Sequence, residues 1–173
     1  MDQHNLYLIG DIDGFTPQIS RLVSMLNYAR HTTLEAVAGL VPSQLDYMPD
    51  AKSNSIGALL THIAAAEVGY QAATFHGREL SAQEKDEWGA VLPLGDRSRQ
   101  EIRGHDLVYY LTRLEQVRAV TLLELGRLDD TWLEAETTFR NGQRINNYFK
   151  WFHVLGHEIN HRGQIRWLRG RAA

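Results

Sequence analysis

Three histidines recur every four residues near the carboxyl end of the chain, at His153, His157 and His161. Four residues along an α-helix return a side chain to nearly the same face, so in a helix the three imidazoles form one stripe. Apolar residues border this stripe, and burying an imidazole there without a partner costs roughly 1–3 kcal/mol. The ring nitrogens of the stripe therefore need hydrogen-bonding or metal partners. A metal ion is the simplest partner for neutral imidazoles that converge.

The five residues from His157 to His161 also match the His-Glu-x-x-His pattern of zinc peptidases. In that pattern the two histidines bind zinc and the glutamate, here Glu158, acts as a general base. Such peptidases take a third ligand from further along the chain, whereas residues 162–173 contain no His, Asp, Glu or Cys. The pattern therefore predicts His157 and His161 as metal ligands and argues against proteolysis. For Glu158 it predicts a catalytic base, with a solvated or interface glutamate as the alternative.

The third ligand must lie upstream, and His62 is the best candidate among the remaining histidines. It borders the apolar stripe of a predicted helix, next to the small residues Ala64–Ala66, which allow another helix to approach closely. Three protein nitrogens leave a fourth position open, as in catalytic rather than structural zinc sites. His153 is a more natural pocket-lining residue, because one further helical turn places it roughly 6 Å along the axis from His157.

Glu67 lies near the middle of the apolar stripe of the same predicted helix as His62. A buried carboxylate requires a partner. Glu67 either orients a ligand imidazole or pairs with Arg162 or another helix cation, and the sequence leaves both alternatives open.

The composition limits the partners and the compartment of the protein. A chain of 173 residues predicts a single domain over 1–173, and the absence of cysteine excludes disulfides, thiolate ligands and a cysteine nucleophile. It also fits a reducing cytoplasm, and no signal peptide is expected. A net charge of −3 argues against nucleic acid as a partner. No segment has the apolar length that a membrane span requires.

Apolar residues at three- and four-residue steps predict four long helices. The first begins at Pro17 and ends before Pro42, and the second runs from about Ile56 to His76. A third helix covers about 107–126, and the last runs from about Asn147 to Arg169. The polar segment 77–104 shows no sustained period and predicts a long loop that can include a short helical turn.

A β-hairpin is predicted just before the last helix. Asn141-Gly142 is the strongest short-range hairpin signal, and it lies between the candidate strands 132–139 and 143–145. The fold class expected from the whole pattern is all-α, a four-helix bundle with one small hairpin.

Two blocks of sequence resemble the DinB/YfiT-like superfamily of metal-binding four-helix bundles. They are Ser55–Ala64, SIGALLTHIA, and Gly156–Ile165, GHEINHRGQI. The resemblance implies that His62, His157 and His161 hold one divalent metal ion, commonly zinc or nickel. It also implies a homodimer and, in some members, transfer of a low-molecular-weight thiol such as bacillithiol or mycothiol to an electrophile.

The leading hypothesis is therefore a metal-dependent thiol S-transferase that acts on a small electrophile. A chain without cysteine would take its reactive sulfur from a cosubstrate. A metal-dependent hydrolase of a small substrate is one alternative. A non-catalytic dimeric stress-response or binding module is the other, because the last helix carries a second apolar strip at Phe152, Leu155 and Ile159. Asn160 stands where relatives often have a further histidine, which leaves the ligands unchanged.

Overall fold

The described part of the computed structural model, residues 6–139 and 141–172, is mostly helical. A two-stranded antiparallel hairpin directly precedes the last helix, so the predicted fold class is confirmed. The elements in chain order are α1 (Pro17–Val37), α2 (Pro42–Leu45), α3 (Ile56–Phe75), α4 (Ala82–Trp88), α5 (Asp96–Glu101), α6 (Leu107–Leu125), α7 (Asp130–Glu134), β1 (Glu136–Thr138), β2 (Arg144–Asn146) and α8 (Asn147–Arg169).

The long helices begin at residues whose side chains satisfy free backbone amides. The Ser55 hydroxyl accepts a hydrogen bond of 3.1 Å at the start of α3, and Asp106 accepts one of 2.9 Å at the start of α6. The Asn146 side chain does the same for α8, also at 2.9 Å. Helix α1 instead begins with Pro17, whose fixed backbone angle suits the first helical position. These local signals place the helix starts where the sequence predicts them.

The four long helices form a ring in the order α1, α8, α3, α6. Neighbours α3 and α6 run parallel, because Gly57 lies against Tyr110 and, ten residues later, Glu67 bonds to Arg118. Because the two helices run in the same direction, the chain between them must run back along the whole bundle, about 30 Å for a 20-residue helix. Residues 76–106 make this return, so the topology itself demands a long connection.

The connection between α3 and α6 contains more helix than the long loop with a short helical turn that the sequence predicts. It contains α4 and α5, which are too short for a periodic apolar pattern to be visible. Helix α4 begins with a capping box, in which Ser81 and Glu84 each accept the other's backbone amide. Trp88 and Val91 then bury their side chains against α3 and α6, which fixes the segment on the bundle.

The predicted hairpin forms, but with shorter strands. Glu136 pairs with Asn146 in an antiparallel register, and Gly142 adopts the positive φ of 83° that such a turn requires. Residues 130–134, partly assigned to the first strand by the sequence, form helix α7 instead. The Asp129 carboxylate caps this helix and thereby overrides the strand preference of the segment.

Two clusters of buried apolar residues hold the bundle together. One joins α3, α6, the 76–106 segment and the end of α8, and includes Leu59, Leu114 and Ile165. The other joins α1 to the first half of α8 and includes Leu26 and Trp151. Within the described residues, no helix is sufficiently long and apolar to cross a membrane.

Gly57 is expected to tolerate no side chain. A Cβ atom there would lie 2.5 Å from the hydroxyl oxygen of Tyr110, which is buried and held by its neighbours. We expect Gly57→Ala to lower the free energy of unfolding by about 1–3 kcal/mol, measured by urea denaturation. Gly69→Ala in the same helix is the control, because its Cβ would meet nothing within 4 Å. An equal loss in both variants would contradict this packing.

Candidate metal centre

The three predicted ligands converge at the α3–α8 contact. Nε2 of His157 lies 3.0 Å from Nε2 of His62 and 3.1 Å from Nε2 of His161. One nitrogen from each ring falls within 4.8 Å of the other two, so the cluster could hold a metal ion. Helix α3 supplies the first ring and α8 supplies the other two from consecutive turns, which is the geometry that four-residue spacing dictates.

His153, the first member of the stripe, lies outside this cluster. Its ring centroid is 6.1 Å from that of His157 and 5.7 Å from that of Tyr70, and its side chain is exposed. The extra helical turn carries it away along the axis, as the sequence predicts. His153 therefore borders the site on its exposed side.

The opposite ring nitrogens of two histidines are held by oxygen acceptors. Nδ1 of His62 lies 2.8 Å from the carbonyl oxygen of Val91, and Nδ1 of His161 lies 2.8 Å from Oε1 of Gln164. A backbone carbonyl oxygen only accepts, so Nδ1 of His62 donates to Val91 and Nε2 of His62 keeps its lone pair. The contact to Gln164 orients the ring of His161 in the corresponding way. Sequence reasoning missed Val91, because a backbone carbonyl carries no residue-type signal.

Four charged side chains form a buried network beneath the histidines, each from the middle of a different long helix. Nε of Arg30 donates to Oε1 of Glu158 at 2.8 Å, and Nη2 of Arg118 donates to Oε2 of Glu158 at 3.1 Å. Glu67 accepts from Arg118 at 2.7 Å, from Arg30 at 3.1 Å and from the Thr121 hydroxyl at 2.6 Å. Both carboxylates are 1% exposed.

Glu67 thus pairs with arginines, the second of its two predicted alternatives, and Arg162 instead donates to the Thr32 hydroxyl. Burial alone would raise the pKa of Glu67, but the charges and hydrogen bonds of Arg118 and Arg30 outweigh it and hold that pKa below its usual value. The position of Glu67 on an apolar stripe indicated that a buried cation is needed, but no sequence signal showed which helices supply it.

A groove of about 510 Å³ lies next to the histidine cluster, between the start of α3 and the second half of α8. Gln164 lines the groove and also contacts His161, so one side chain borders both the groove and the cluster. The residues lining it are Ser53, Asn54, Leu59, Asn160, Gly163, Gln164, Trp167 and Leu168.

The model of the mycothiol-S-transferase family matches residues 21–173. The chain belongs to the mycothiol-S-transferase family. The family is DinB/YfiT-like, so the resemblance seen in the sequence is confirmed. The structure is also similar to that of a conserved protein from Enterococcus faecalis, with a TM-score of 0.66 over 86% of this chain and 92% of that chain. At 16% identity this likeness shows the shared fold alone. No curated protein matches the chain.

In this member of the mycothiol-S-transferase family, the contacts of Glu158 favour a structural role. Both of its oxygens accept hydrogen bonds from Arg30 and Arg118, and the side chain is 1% exposed. A general base must reach the proton that it removes, directly or through one water. The catalytic role that the sequence suggests for Glu158 stays a prediction, and the geometry gives it no support.

The electrostatic environment suits neutral ligands. Burial, followed by the neighbouring His161, His62 and His153, lowers the pKa of His157 to about 3. Burial also lowers the pKa of His62, although its hydrogen bond to Val91 acts in the opposite direction. Both rings are therefore neutral at pH 7, and neutral imidazole is the form that binds divalent metal ions.

These lowered pKa values predict how the metal-free protein responds to acid. The fold keeps His62 and His157 neutral, whereas the unfolded chain takes up protons on them below a pKa of about 6.5. Above pH 6.5 neither histidine is protonated in either state, so the free energy of unfolding keeps its full value. As the pH falls from 6.5 towards 3, protonation of the unfolded chain lowers the free energy of unfolding. We expect the urea midpoint of chelator-treated protein to decrease over this range, and to decrease less in His157→Gln. Identical pH profiles for the two proteins would contradict neutral burial of His157.

Proposed function

We propose that this protein is a metal-dependent thiol S-transferase that conjugates mycothiol, or a related low-molecular-weight thiol, to a small electrophile. The observation that carries the proposal is the convergence of His62, His157 and His161, with one nitrogen of each within 4.8 Å of the others. Membership of the mycothiol-S-transferase family supports a thiol as the cosubstrate.

The residues of the cluster fit a divalent ion such as zinc or nickel. Three imidazole nitrogens suit these ions better than magnesium or calcium, which prefer oxygen ligands. The contacts to Val91 and Gln164 hold the two rings so that Nε2 of His62 and Nε2 of His161 face the cluster. When bound, such an ion supplies a position for a thiol sulfur and lowers the pKa of the thiol, so that thiolate is present at neutral pH.

The chain itself contributes position and access. It contains no cysteine, so the nucleophilic sulfur must arrive with the cosubstrate. His62 and His157 are half-buried and their neighbours Asn160 and Gln164 are exposed, which gives a small molecule a path to the cluster. In the proposed conjugation the sulfur forms a bond to carbon, the leaving group departs with its electron pair, and the thiol proton passes to solvent.

The proposal is tested with purified protein that has been stripped by a chelator and reloaded with zinc or nickel. We expect conjugation of mycothiol to monochlorobimane, followed by fluorescence, to exceed the uncatalysed rate only when both metal and protein are present. Protein loaded with magnesium is the control. Hydrolysis of ester or amide substrates without any thiol, together with no conjugation, would contradict the proposal and favour the hydrolase alternative.

We extend the proposal to a homodimer located in the cytoplasm. In the apolar strip of α8, Phe152 is 62% and Ile159 is 37% exposed, whereas Leu155 is 8% exposed. Exposed apolar side chains on one helix face support contact with a second copy of the chain. The cytoplasmic location is supported separately, because a chain without cysteine fits a reducing compartment. We expect sedimentation velocity to show a dimer that Phe152→Ser weakens. A monomeric wild type would contradict this part of the proposal.

A further inference from the structure

We infer that the buried charge network of Arg30, Glu67, Arg118 and Glu158 brings the three histidines together, because it fixes the position of α3 relative to α8. The four side chains are then positioning residues for the metal site as well as parts of the core. The inference rests on the proposed function in one respect, which is that the three histidines are ligands of one ion.

The convergence of the histidines depends on how two helices lie against each other. The distance of 3.0 Å between Nε2 of His62 and Nε2 of His157 joins α3 to α8. Two nitrogens bound to a tetrahedral zinc ion, each at about 2.0–2.1 Å, lie about 3.3 Å apart, which is close to this distance. The two helices must therefore be held along their axes more closely than the rise of one residue, about 1.5 Å.

Apolar packing alone gives this part of α3 little resistance to sliding. The buried residues that follow His62 include Ala64 and Ala65, whose short side chains allow close approach but interlock little. Buried charges act differently, since their hydrogen bonds are satisfied in only one register of the helices. A buried ionic group adds little net stability, and fixing the register is its best-attested use.

Each helix that carries ligands also carries one carboxylate of the network. Glu67 follows His62 by five residues, about 7.5 Å along α3. Glu158 lies between the two ligands of α8, directly after His157 and three residues before His161. Both carboxylates are 1% exposed. Because a helix is stiff over such short distances, holding each carboxylate in place also holds the ligands of its helix.

The same two arginines bind both carboxylates. Nη2 of Arg118 lies 3.1 Å from Oε2 of Glu67 and 3.1 Å from Oε2 of Glu158, so one nitrogen joins α3 to α8. Arg30 also contacts both, at 3.1 Å from Glu67 and 2.8 Å from Glu158. In the ring of helices α1 lies opposite α3, and α6 lies opposite α8. These contacts therefore cross the centre of the bundle.

The arginines are themselves fixed by backbone acceptors. Nη1 of Arg30, on α1, donates to the carbonyl oxygen of Leu114 in α6 at 2.7 Å. Nη1 of Arg118, on α6, donates to the carbonyl oxygen of Leu26 in α1 at 2.9 Å. Each arginine is thus bound to the backbone of the other's helix. Helices α1 and α6 form a frame, and α3 and α8 are attached to it by their carboxylates.

The test measures the zinc affinity of the folded protein by competition with a chelator. The double variant Glu67→Met/Arg118→Leu removes one carboxylate and one guanidinium, keeps similar volumes, and leaves Arg30 paired with Glu158. Such a replacement is often neutral for stability, so the variant should fold, as circular dichroism would show. We expect its Kd for zinc to rise about 10–100-fold, as it does when groups that orient metal ligands are changed.

Leu125→Ala is the matched control. Leu125 is fully buried in the apolar cluster that joins α1 to α8, and it belongs neither to the network nor to the ligands. This variant should unfold at a lower urea concentration but keep its Kd for zinc within about twofold. Glu67→Gln preserves the shape of the side chain and should raise the Kd about tenfold. It decides the question if the double variant does not fold.

A zinc Kd within about twofold of the wild type in both network variants would overturn the inference. If the wild type binds no zinc, the proposed function fails, and NMR of the metal-free protein then decides. The ring centroids of His62 and His157 lie 4.7 Å apart, so nuclear Overhauser contacts between their ring protons are expected in the wild type and in Leu125→Ala. These contacts should be lost in the network variants. Their absence from the wild type, or their persistence in the network variants, would overturn the inference.

Discussion

His62→Ala and His161→Ala are each expected to abolish tight binding of the divalent metal. Each change removes one of three nitrogens that converge within 4.8 Å. Residues that only orient a ligand are worth roughly 10–100-fold in metal affinity, so loss of a ligand itself should cost more than about 100-fold. Elemental analysis of untagged protein after dialysis should find about one ion per wild-type chain and almost none in either variant. Thiol conjugation should fall in parallel.

The matched control is His153→Ala, which removes an imidazole from the same helical stripe. His153 is exposed and lies outside the cluster, so this variant should keep its metal. Circular dichroism should show that all three variants retain the helical fold. A His62→Ala protein that keeps one ion per chain, or a His153→Ala protein that loses it, would show that the metal site lies elsewhere or includes other ligands.

Local rules were enough to predict the part of the site that lies on single helices. The four-residue spacing places His157 and His161 on the same face of the helix, one turn apart. This relative position depends only on helix geometry and not on the rest of the fold. The helix starts at Ser55 and Asn146 are equally local, since each cap satisfies amides within the next three residues. His62 required two further steps: the expectation that a small-residue stretch allows two helices to approach, and the resemblance of the block Ser55–Ala64 to the DinB/YfiT-like superfamily.

The pattern of apolar residues in the sequence could not predict which distant segments contact each other. The Val91 carbonyl reaches His62 only because the parallel arrangement of α3 and α6 draws the 76–106 connection across the bundle. No periodicity within that segment indicates its path, and its two helices are too short to produce one. The partners of Glu67 were equally hidden, since a buried carboxylate indicates that a cation is needed but not which helix supplies it.

Arg118→Ala is expected to cause the largest loss of stability. Without this guanidinium, Glu67 and Glu158 lose hydrogen bonds of 2.7 and 3.1 Å and remain buried with one cation between them. Breaking such a buried pair costs about 3–5 kcal/mol, measured as the change in the free energy of unfolding in urea. The control is Arg97→Ala, because Arg97 pairs with Glu101 on the surface, where a pair contributes at most about 1 kcal/mol. Equal losses in the two variants would contradict a structural role for the buried network.

Glu158→Gln separates the structural role of this residue from the catalytic one. The amide keeps the shape of the carboxylate but removes the charge that faces Arg30 and Arg118, so the network predicts a lower free energy of unfolding. Activity per metal-loaded, folded molecule should then change little, because Glu158 is held away from solvent. A general base contributes roughly 10²–10⁴-fold to the rate. A variant that is stable, retains its metal and loses activity by that factor would establish Glu158 as the base and contradict its assignment to the network alone.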